Sequence, residues 1–164
     1  MAFSIKINRK KLEAISEVAQ SLKQNVIDRQ TARDVGVGVT DKMKSLIEKG
    51  ISPIKGNGRF PGYKNPDKYP GDRKPKRPVN LWLSGDFISS LDAKEFPAKH
   101  GYVTEIFYKG DQDKKESGHR EGVNGQPKRP TIPQGDEQFV VAIQRIITTI
   151  FKERIAFLLN KIRK

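Results

Sequence analysis

The two histidines are the side chains of this chain best suited to proton transfer or metal binding. His100 and His119 stand far apart, and no His-x-x-His or His-Glu-x-x-His spacing supplies a metal site. His119 is followed by Arg120 and Glu121, and this triplet is the best cluster for acid–base chemistry that the chain offers. A loop triplet of this kind is more typical of a hydrogen-bonded surface corner than of a general base. We therefore expect no catalytic residue, no metal and no cofactor.

Other signatures of catalysis are also missing from the sequence. The chain contains no cysteine, which excludes thiolate nucleophiles and thiolate metal sites. Its glycine-rich stretches lack the Gly-Lys-Ser/Thr ending of a phosphate loop, and Ser84-Gly85 lacks the earlier glycine of a Gly-x-Ser-x-Gly elbow. No Glu-x-Lys, a spacing typical of metal nucleases, occurs. The sequence therefore predicts a protein that is not an enzyme.

Composition and charge limit the class of partner. The chain has 164 residues with 32 basic and 19 acidic side chains, a formal net charge of +13 and a pI of about 10. Such a balance favours nucleic acid, an anionic surface or an acidic protein as partner. No apolar run is long enough to span a membrane, and the first residues lack the apolar core of a signal peptide. We expect one domain over residues 1–164, no membrane contact and a cytoplasm-like compartment.

The stretch from 51 to 79 is rich in proline, glycine and basic residues, and we call it the arm. Between Gly50 and Asn80 there are eight basic residues and two acidic ones. No periodic apolar pattern occurs in the arm, so we expect an extended segment that is functional. Aromatic and basic side chains alternate there, which suits stacking and phosphate contact in a nucleic-acid groove, or equally an arm that holds a neighbouring subunit.

These two interpretations of the arm select overlapping sets of residues. The side chains expected to hold a neighbouring subunit are Ile54, Arg59, Phe60, Tyr63, Tyr69 and Arg77. The side chains suited to face DNA are Lys55, Arg59, Lys64, Lys68, Arg73, Lys74 and Lys76.

The segment before the arm predicts a short strand and then helices. Residues 3–7 alternate apolar and polar types, as in an edge strand, and residues 8–26 carry one apolar stripe at helical spacing. The Gly-Val repeat at 35–39 is ambiguous between a short strand and a weak point in a long helix, because each helical glycine costs about 1 kcal/mol. Thr40-Asp41 then restarts a helix that ends at Gly50. We expect two helices or one long broken helix.

The middle of the chain predicts a short helix and a β-hairpin. Leu81 and Leu83 alternate around Trp82 in an extended piece, and Ser84-Gly85-Asp86 signals the start of a helix of one or two turns. Residues 93–108 form a predicted hairpin with a turn at 99–101, since its second half is rich in β-branched and aromatic residues. Residues 110–118 are charged and predict a solvated loop.

The C-terminal part predicts an extended segment and the longest helix. Prolines keep residues 128–133 extended, and a helix from Gly135 to the C-terminus is expected, with Asp136 and Glu137 in its first turn. Apolar residues cover almost half of its circumference, which favours either contact with another copy in addition to the sheet or a central core helix. The side chains expected at this interface are Phe139, Ile143, Ile146, Ile150, Arg154 and Phe157.

These elements together predict an α+β fold. It contains N-terminal helices, a small antiparallel sheet with the long extended arm, and a long C-terminal helix packed on the sheet.

The order of several short motifs resembles tailed-bacteriophage neck and tail-completion proteins, a group also described as head–tail joining or virion morphogenesis proteins. The similarity extends from about residue 9 to residue 164, with an arm that is unusually basic and a Gly-Val repeat that departs from the family pattern. Its most specific part is the segment containing Leu81, Trp82, Leu83, Ser84, Gly85, Asp86, Phe87 and Leu91. A later loop motif comprises His119, Gly122, Arg129 and Pro130.

This resemblance implies a structural protein of the virion. Copies would form a ring, hexameric or dodecameric, between the capsid connector and the tail tube, with double-stranded DNA in the channel. The implied partners are other copies of the chain and the phage proteins on the portal and tail-tube sides. A basic nucleic-acid-binding protein of ribosomal or nucleoid type is the alternative that charge alone favours, and an enzyme centred on His119 is a weaker third.

Overall fold

The computed structural model describes residues 27–68, 79, 81, 85–99 and 101–162. The predicted strand and helix before residue 27 lie outside these residues, as do Tyr69, Arg73, Lys74, Lys76, Arg77, Trp82, Leu83, Ser84, His100 and the side chain of Lys68. The α-helices of the described part are α1 (Arg29–Glu48), α2 (Asp86–Ser89), α3 (Gln112–Glu121) and α4 (Val141–Ile162). The strands β1 (Leu91–Ala98) and β2 (Gly101–Tyr108) form an antiparallel pair, and short 3-10 turns occupy Pro66–Lys68 and Val123–Gly125. The predicted α+β class is confirmed.

Helix α1 is continuous through the Gly-Val repeat. The carboxylate of Asp28 caps its start by accepting a hydrogen bond from the Thr31 N–H at 2.8 Å. Thr40-Asp41 is not a helix start, which corrects the prediction, because the Thr40 hydroxyl lies inside the helix and donates to the Gly36 carbonyl at 2.9 Å. The predicted end is confirmed, since Gly50 has a φ of +73° and its N–H bonds the Ile47 carbonyl.

Two glycines place α1 between the hairpin and α4. A Cβ on Gly36 would lie 2.8 Å from the Ala93 Cβ and 2.9 Å from the Thr104 Cγ2, and one on Gly38 would lie 2.9 Å from the Ile146 Cγ2. Residues two apart in a helix point about 200° apart, so each glycine serves one neighbouring layer. The Gly-Val repeat is therefore a packing feature rather than a break in the helix.

The predicted hairpin is confirmed and is slightly longer than expected. Its register runs from Leu91 opposite Tyr108 to Ala98 opposite Gly101. The hydroxyl of Thr104 donates to the Ala32 carbonyl of α1 at 2.7 Å, which ties the second strand to the helix. The C-terminal helix packs mainly on the other side of α1, so it joins the sheet layer through α1.

Helix α4 begins at Val141 and not at Gly135, which corrects the predicted start. Before it, Ile54 of the arm forms an isolated antiparallel bridge with Phe139. The Lys55 N–H donates to the Gln138 carbonyl at 2.7 Å, and the Val140 N–H donates to the Pro53 carbonyl at 2.9 Å. These bonds hold the backbone in bridge pairing up to Val140, so Asp136 and Glu137 do not belong to the first turn of the helix.

The first part of the arm is folded against its own chain. Ile51 bridges to Arg59, and the Phe60 N–H bonds the Gly50 carbonyl at 2.8 Å, which closes a tight loop after α1. Ile54 and Phe60 are buried. Their prediction as contacts to a neighbouring subunit is therefore wrong, because they pack inside their own chain.

Helix α3 replaces most of the solvated loop predicted for residues 110–118. Glu116 is its one buried residue, so it lacks the apolar stripe from which a helix is predicted. It ends at Gly122, whose φ is +71° and whose N–H bonds the Gly118 carbonyl.

The main core joins α1, the arm, α2, the hairpin and α4. Its members are Val39, Met43, Leu46, Ile47, Phe60, Val79, Leu81, Phe87, Ile88, Leu91, Tyr108 and Ile143. Of the helices in the described part of the chain, none combines the length and apolar content that a membrane crossing requires.

Replacing Gly36 by alanine is expected to destabilise the protein by about 1–3 kcal/mol, although alanine is the better helix former. The new methyl group would overlap Ala93 Cβ, which has no rotamer with which to move away. Gly118→Ala in α3 is the matched control, since its Cβ would lie 3.3 Å from the end of the exposed Val123 side chain. We expect that control to be neutral or stabilising by up to about 1 kcal/mol. Urea unfolding of both variants provides the measurement, and equal stability of the two would contradict the role of Gly36.

Candidate functional site

The described part of the segment from Leu81 to Leu91 forms a turn of helix against the hairpin. Gly85 precedes α2 with a φ of +87°, and Asp86 is the acidic residue of the first turn, as the helix-start signal predicted. Phe87, Ile88 and Leu91 are all buried, but Leu91 belongs to β1 and not to the helix. The Phe87 ring stacks on Tyr108 with centroids 4.3 Å apart and meets the His119 ring edge-on at 5.2 Å.

His119 lies in α3 and packs against the core, so its predicted place in a surface loop is wrong. Burial first, and then the positive charges of Arg129 and Lys115, lower the pKa of His119 to about 4. The imidazole is therefore neutral and weakly basic at pH 7. This environment suits a packing role beside Phe87.

Glu116 organises a buried hydrogen-bond cluster that the sequence did not reveal. One of its oxygens accepts from the Thr131 N–H at 3.1 Å and the Ile132 N–H at 3.3 Å. Tyr108 donates its hydroxyl to Thr131 Oγ1 at 2.9 Å, and burial raises the pKa of Tyr108, which keeps the phenol protonated. Glu116 thus fixes the segment after residue 128 to α3, and Tyr108 fixes the same segment to the hairpin. The one local feature of the sequence that pointed to this role is the spacing of four residues between Glu116 and Arg120, which places the two opposite charges on the same face of a helix.

Arg129 connects this segment to the arm. It is only 1% exposed, donates to the Pro61 carbonyl at 3.0 Å and the Gly62 carbonyl at 2.7 Å, and lies over the Tyr63 ring at 5.0 Å. Beside it, the buried Ser52 hydroxyl donates to the Pro130 carbonyl at 3.0 Å. The predicted loop motif therefore holds the arm, and the Tyr63 ring packs within its own chain.

Arg120 joins α3 to the turn before α4. It donates to a Glu137 oxygen at 2.9 Å and to the Ile132 carbonyl. The same Glu137 oxygen accepts from the Gln134 N–H at 2.9 Å. Burial acts to raise the pKa of Glu137, but the Gln134 N–H and the Arg120 charge outweigh it, so the pKa lies below its ordinary value. Glu137 is therefore ionised at neutral pH, and its charge is opposed by that of Arg120.

An open cleft of about 570 Å³ lies between the arm and this segment, and we call it the basic cleft. Residues 52–61 contribute one wall, and Arg120, Lys128, Pro130 and Glu137 contribute the other. Of the predicted DNA-facing residues, Arg59 lines this cleft. Lys55 neighbours it through its backbone bond to Gln138, and the amino group of Lys64 lies against Gly125.

The face of α4 is divided between internal packing and exposure. Ile143 is buried in the core, and Ile146 and Ile150 approach Gly38, so these three predicted interface residues pack within the chain. Phe139 precedes the helix and pairs with Ile54. The prediction that Ile143 contacts another copy is therefore wrong. A contact between copies through α4 would use other side chains of the helix.

Exposed apolar side chains remain at the C-terminal end of α4. Arg154 bonds the Asp28 carboxylate, which places this end beside the start of α1, and its guanidinium lies 5.4 Å from the Phe157 ring centroid. Phe157 is 57% exposed, and Ile27, the chain neighbour of Asp28, is 37% exposed. We call these two residues the end patch.

No group of three or more potential metal ligands occurs in the part of the chain that the structure describes. Comparison of the sequence with protein-family models and curated proteins, and of the fold with solved structures, gives no match.

Glu116→Ala is expected to destabilise the protein by about 2–4 kcal/mol, because it leaves the N–H groups of Thr131 and Ile132 without their acceptor and removes the carboxylate that forms an ion pair with Arg120. Glu116→Gln retains a carbonyl oxygen for the Thr131 and Ile132 N–H groups and should cost less. Glu121→Ala, at an exposed position of the same helix, is the control and should change stability by less than about 0.5 kcal/mol. Chemical denaturation measures all three, and an effect of Glu116→Ala as small as that of the control would contradict the cluster.

His119 should make the protein less stable as the pH falls from 7 to 4. The unfolded chain binds a proton near the ordinary pKa of 6.5, whereas the folded chain does so near 4, so protons favour unfolding between these values. The effect amounts to about 3 kcal/mol at most. His119→Phe keeps an aromatic ring and removes the titration. We expect the difference in unfolding free energy between wild type and variant to change across this pH range, and a constant difference would contradict the assignment.

Proposed function

We propose that this protein is a structural subunit that forms a ring in the neck of a tailed phage, between the capsid connector and the tail, around the DNA channel. The observation that carries the proposal is the end patch, which exposes an aromatic and an aliphatic side chain at one end of the α1–α4 layer. Burying these side chains against another copy would remove apolar surface from water and so favour assembly. The order of motifs that resembles neck and tail-completion proteins supplies the assembly to which such a surface would belong.

The internal role of the motif residues supports a structural function. Phe87, His119, Arg129 and Pro130 contact the hairpin, the neighbouring helix or the arm of the same chain. These contacts hold parts of the same subunit together. Assembly then depends on surfaces outside these motifs, and the end patch is the one we assign to a second copy of this chain.

A ring places two different surfaces of each subunit in contact, because each copy meets its neighbour head to tail. The end patch would be one of these surfaces. Six or twelve copies would close the ring, with phage proteins of the connector and tail-tube sides above and below it. The alternative, a monomeric nucleic-acid-binding protein, is supported by the basic cleft. A measurement of the native mass distinguishes this alternative from the ring.

Light scattering of the purified protein tests the proposal. The wild type is expected at a multiple of 18.6 kDa that persists at about 0.5 M salt, because an apolar contact is not screened by salt. Phe157→Glu should reduce the mass to that of one chain, since it would bury a charge in the contact. Val123→Glu, at another exposed apolar position outside α4, is the matched control and should keep the ring.

Two results would contradict the proposal. The wild type would remain a monomer at both salt concentrations and also in the presence of connector and tail-tube proteins. Alternatively, Phe157→Glu would lower the melting temperature without changing the mass, which would assign the end patch to packing within one chain.

A further inference from the structure

The basic cleft carries positive charge without nearby compensation. Arg59 is exposed on one wall and Lys128 on the other, and neither forms an ion pair with any described residue. The carboxylate in the lining, Glu137, is bound by Arg120 and the Gln134 N–H. An anion entering the cleft would therefore meet Arg59 and Lys128 with no free carboxylate of the lining to oppose it.

The walls of the cleft are fixed relative to each other. The Ser52 hydroxyl bonds the Pro130 carbonyl, and the Arg129 guanidinium bonds the arm carbonyls of Pro61 and Gly62. The loop between Gly50 and Phe60 is closed by its own backbone hydrogen bonds. Arg59 and Lys128 are thus attached to one rigid frame, so their backbone positions need no reordering when a ligand binds.

The composition of the cleft favours a phosphate backbone over an acidic peptide. Phe60 is buried and offers almost no apolar surface to a bound side chain. Pro61 is the exposed apolar residue of the lining, and the exposed polar groups are a guanidinium, an ammonium and the amide of Asn57, which are donor types that contact phosphate oxygens. Its volume exceeds that of a single phosphate and admits a phosphate with its neighbouring sugars.

We propose that the basic cleft binds the phosphodiester backbone of double-stranded nucleic acid, with Arg59 and Lys128 each neutralising one phosphate. The contact is expected to be independent of sequence, because Arg59 and Lys128 are each assigned to a phosphate and not to a base edge. The assignment of that nucleic acid to DNA rests on the proposed neck function. Lys55 and Lys64 are exposed on the same arm and add to its positive charge.

Fluorescence anisotropy with labelled duplexes of about 20 base pairs, DNA in one arm and RNA in the other, tests the proposal over a salt series. The double variant Arg59→Ala/Lys128→Ala should bind DNA at least tenfold more weakly at about 100 mM salt. The slope of log affinity against log salt should fall by about 1.8, because two phosphate contacts are lost. Arg145→Ala/Lys152→Ala removes the same charge from exposed positions of α4 and should keep the wild-type slope.

Four results would overturn the proposal. The wild type would not bind DNA at about 100 mM salt, or both double variants would lower the slope equally, which would mean that net charge alone attracts the DNA. A polyglutamate peptide that displaces DNA at equal charge concentration would assign the cleft to an acidic protein. A loss of affinity confined to RNA would overturn the assignment to DNA.

The native mass, measured together with the DNA affinity of the cleft variant, tests this proposal and the neck function independently. A ring whose cleft variant binds DNA as the wild type does would disprove the cleft and leave the ring. A monomer whose cleft variant loses DNA binding would disprove the ring and leave the phosphate contact.

Discussion

The architecture depends on the close approach of three layers at one helix. Helix α1 lies between the hairpin and α4, and it has no side chain at the two points where those layers come nearest, Gly36 and Gly38. A helix with two glycines near its middle is intrinsically weak, at a cost of about 1 kcal/mol for each glycine. Packing on both faces offsets that cost, so α1 is stable because of its neighbours.

The arm is likewise held by residues that are distant in the sequence, here through polar interactions. Arg129 and Ser52 satisfy carbonyl groups of segments that run without a helix or a sheet, and Glu116 does the same for the N–H groups of Thr131 and Ile132. Irregular backbone can be buried only if its polar groups find such partners. The arm therefore becomes part of the subunit body up to Gly62, and its basic side chains are presented from a fixed surface.

The structure separates two sets of residues that overlapped in the sequence analysis, namely those expected to contact another subunit and those expected to face DNA. The sequence assigned Arg59 both to subunit contact and to DNA, and it placed Phe60 and Ile54 in an arm reaching a neighbour. In the structure the apolar residues of the arm face inward, whereas Arg59 faces the basic cleft. Phe157, the most exposed of the large apolar side chains in the described residues, lies elsewhere, near the end of α4. Assembly and phosphate binding are thus proposed for different parts of the subunit.

The features that were predicted correctly have local causes. The hairpin follows from β-branched and aromatic residues around a short turn, and the end of α1 follows from the positive φ that Gly50 supplies. The start of α2 at Asp86 was likewise visible as a short signal.

The features that were missed depend on distant residues. The continuity of α1 requires Ala93 and Ile146, and the late start of α4 requires pairing of Phe139 with Ile54. Helix α3 buries a carboxylate in place of an apolar stripe, so periodicity gave no sign of it. Arg129 was expected from the resemblance as a motif residue, but its bonds to the arm join residues 67 and 68 positions apart and had no signal in the sequence.

The central claim is that this chain is a subunit of a closed ring. Negative-stain electron microscopy of the purified protein tests it most directly, because it shows symmetry and a central opening in single particles. Rings of six or twelve copies with an opening wide enough for a DNA duplex are expected. Particles of a single 18.6-kDa chain at every concentration, alone and with connector and tail-tube proteins, would contradict it.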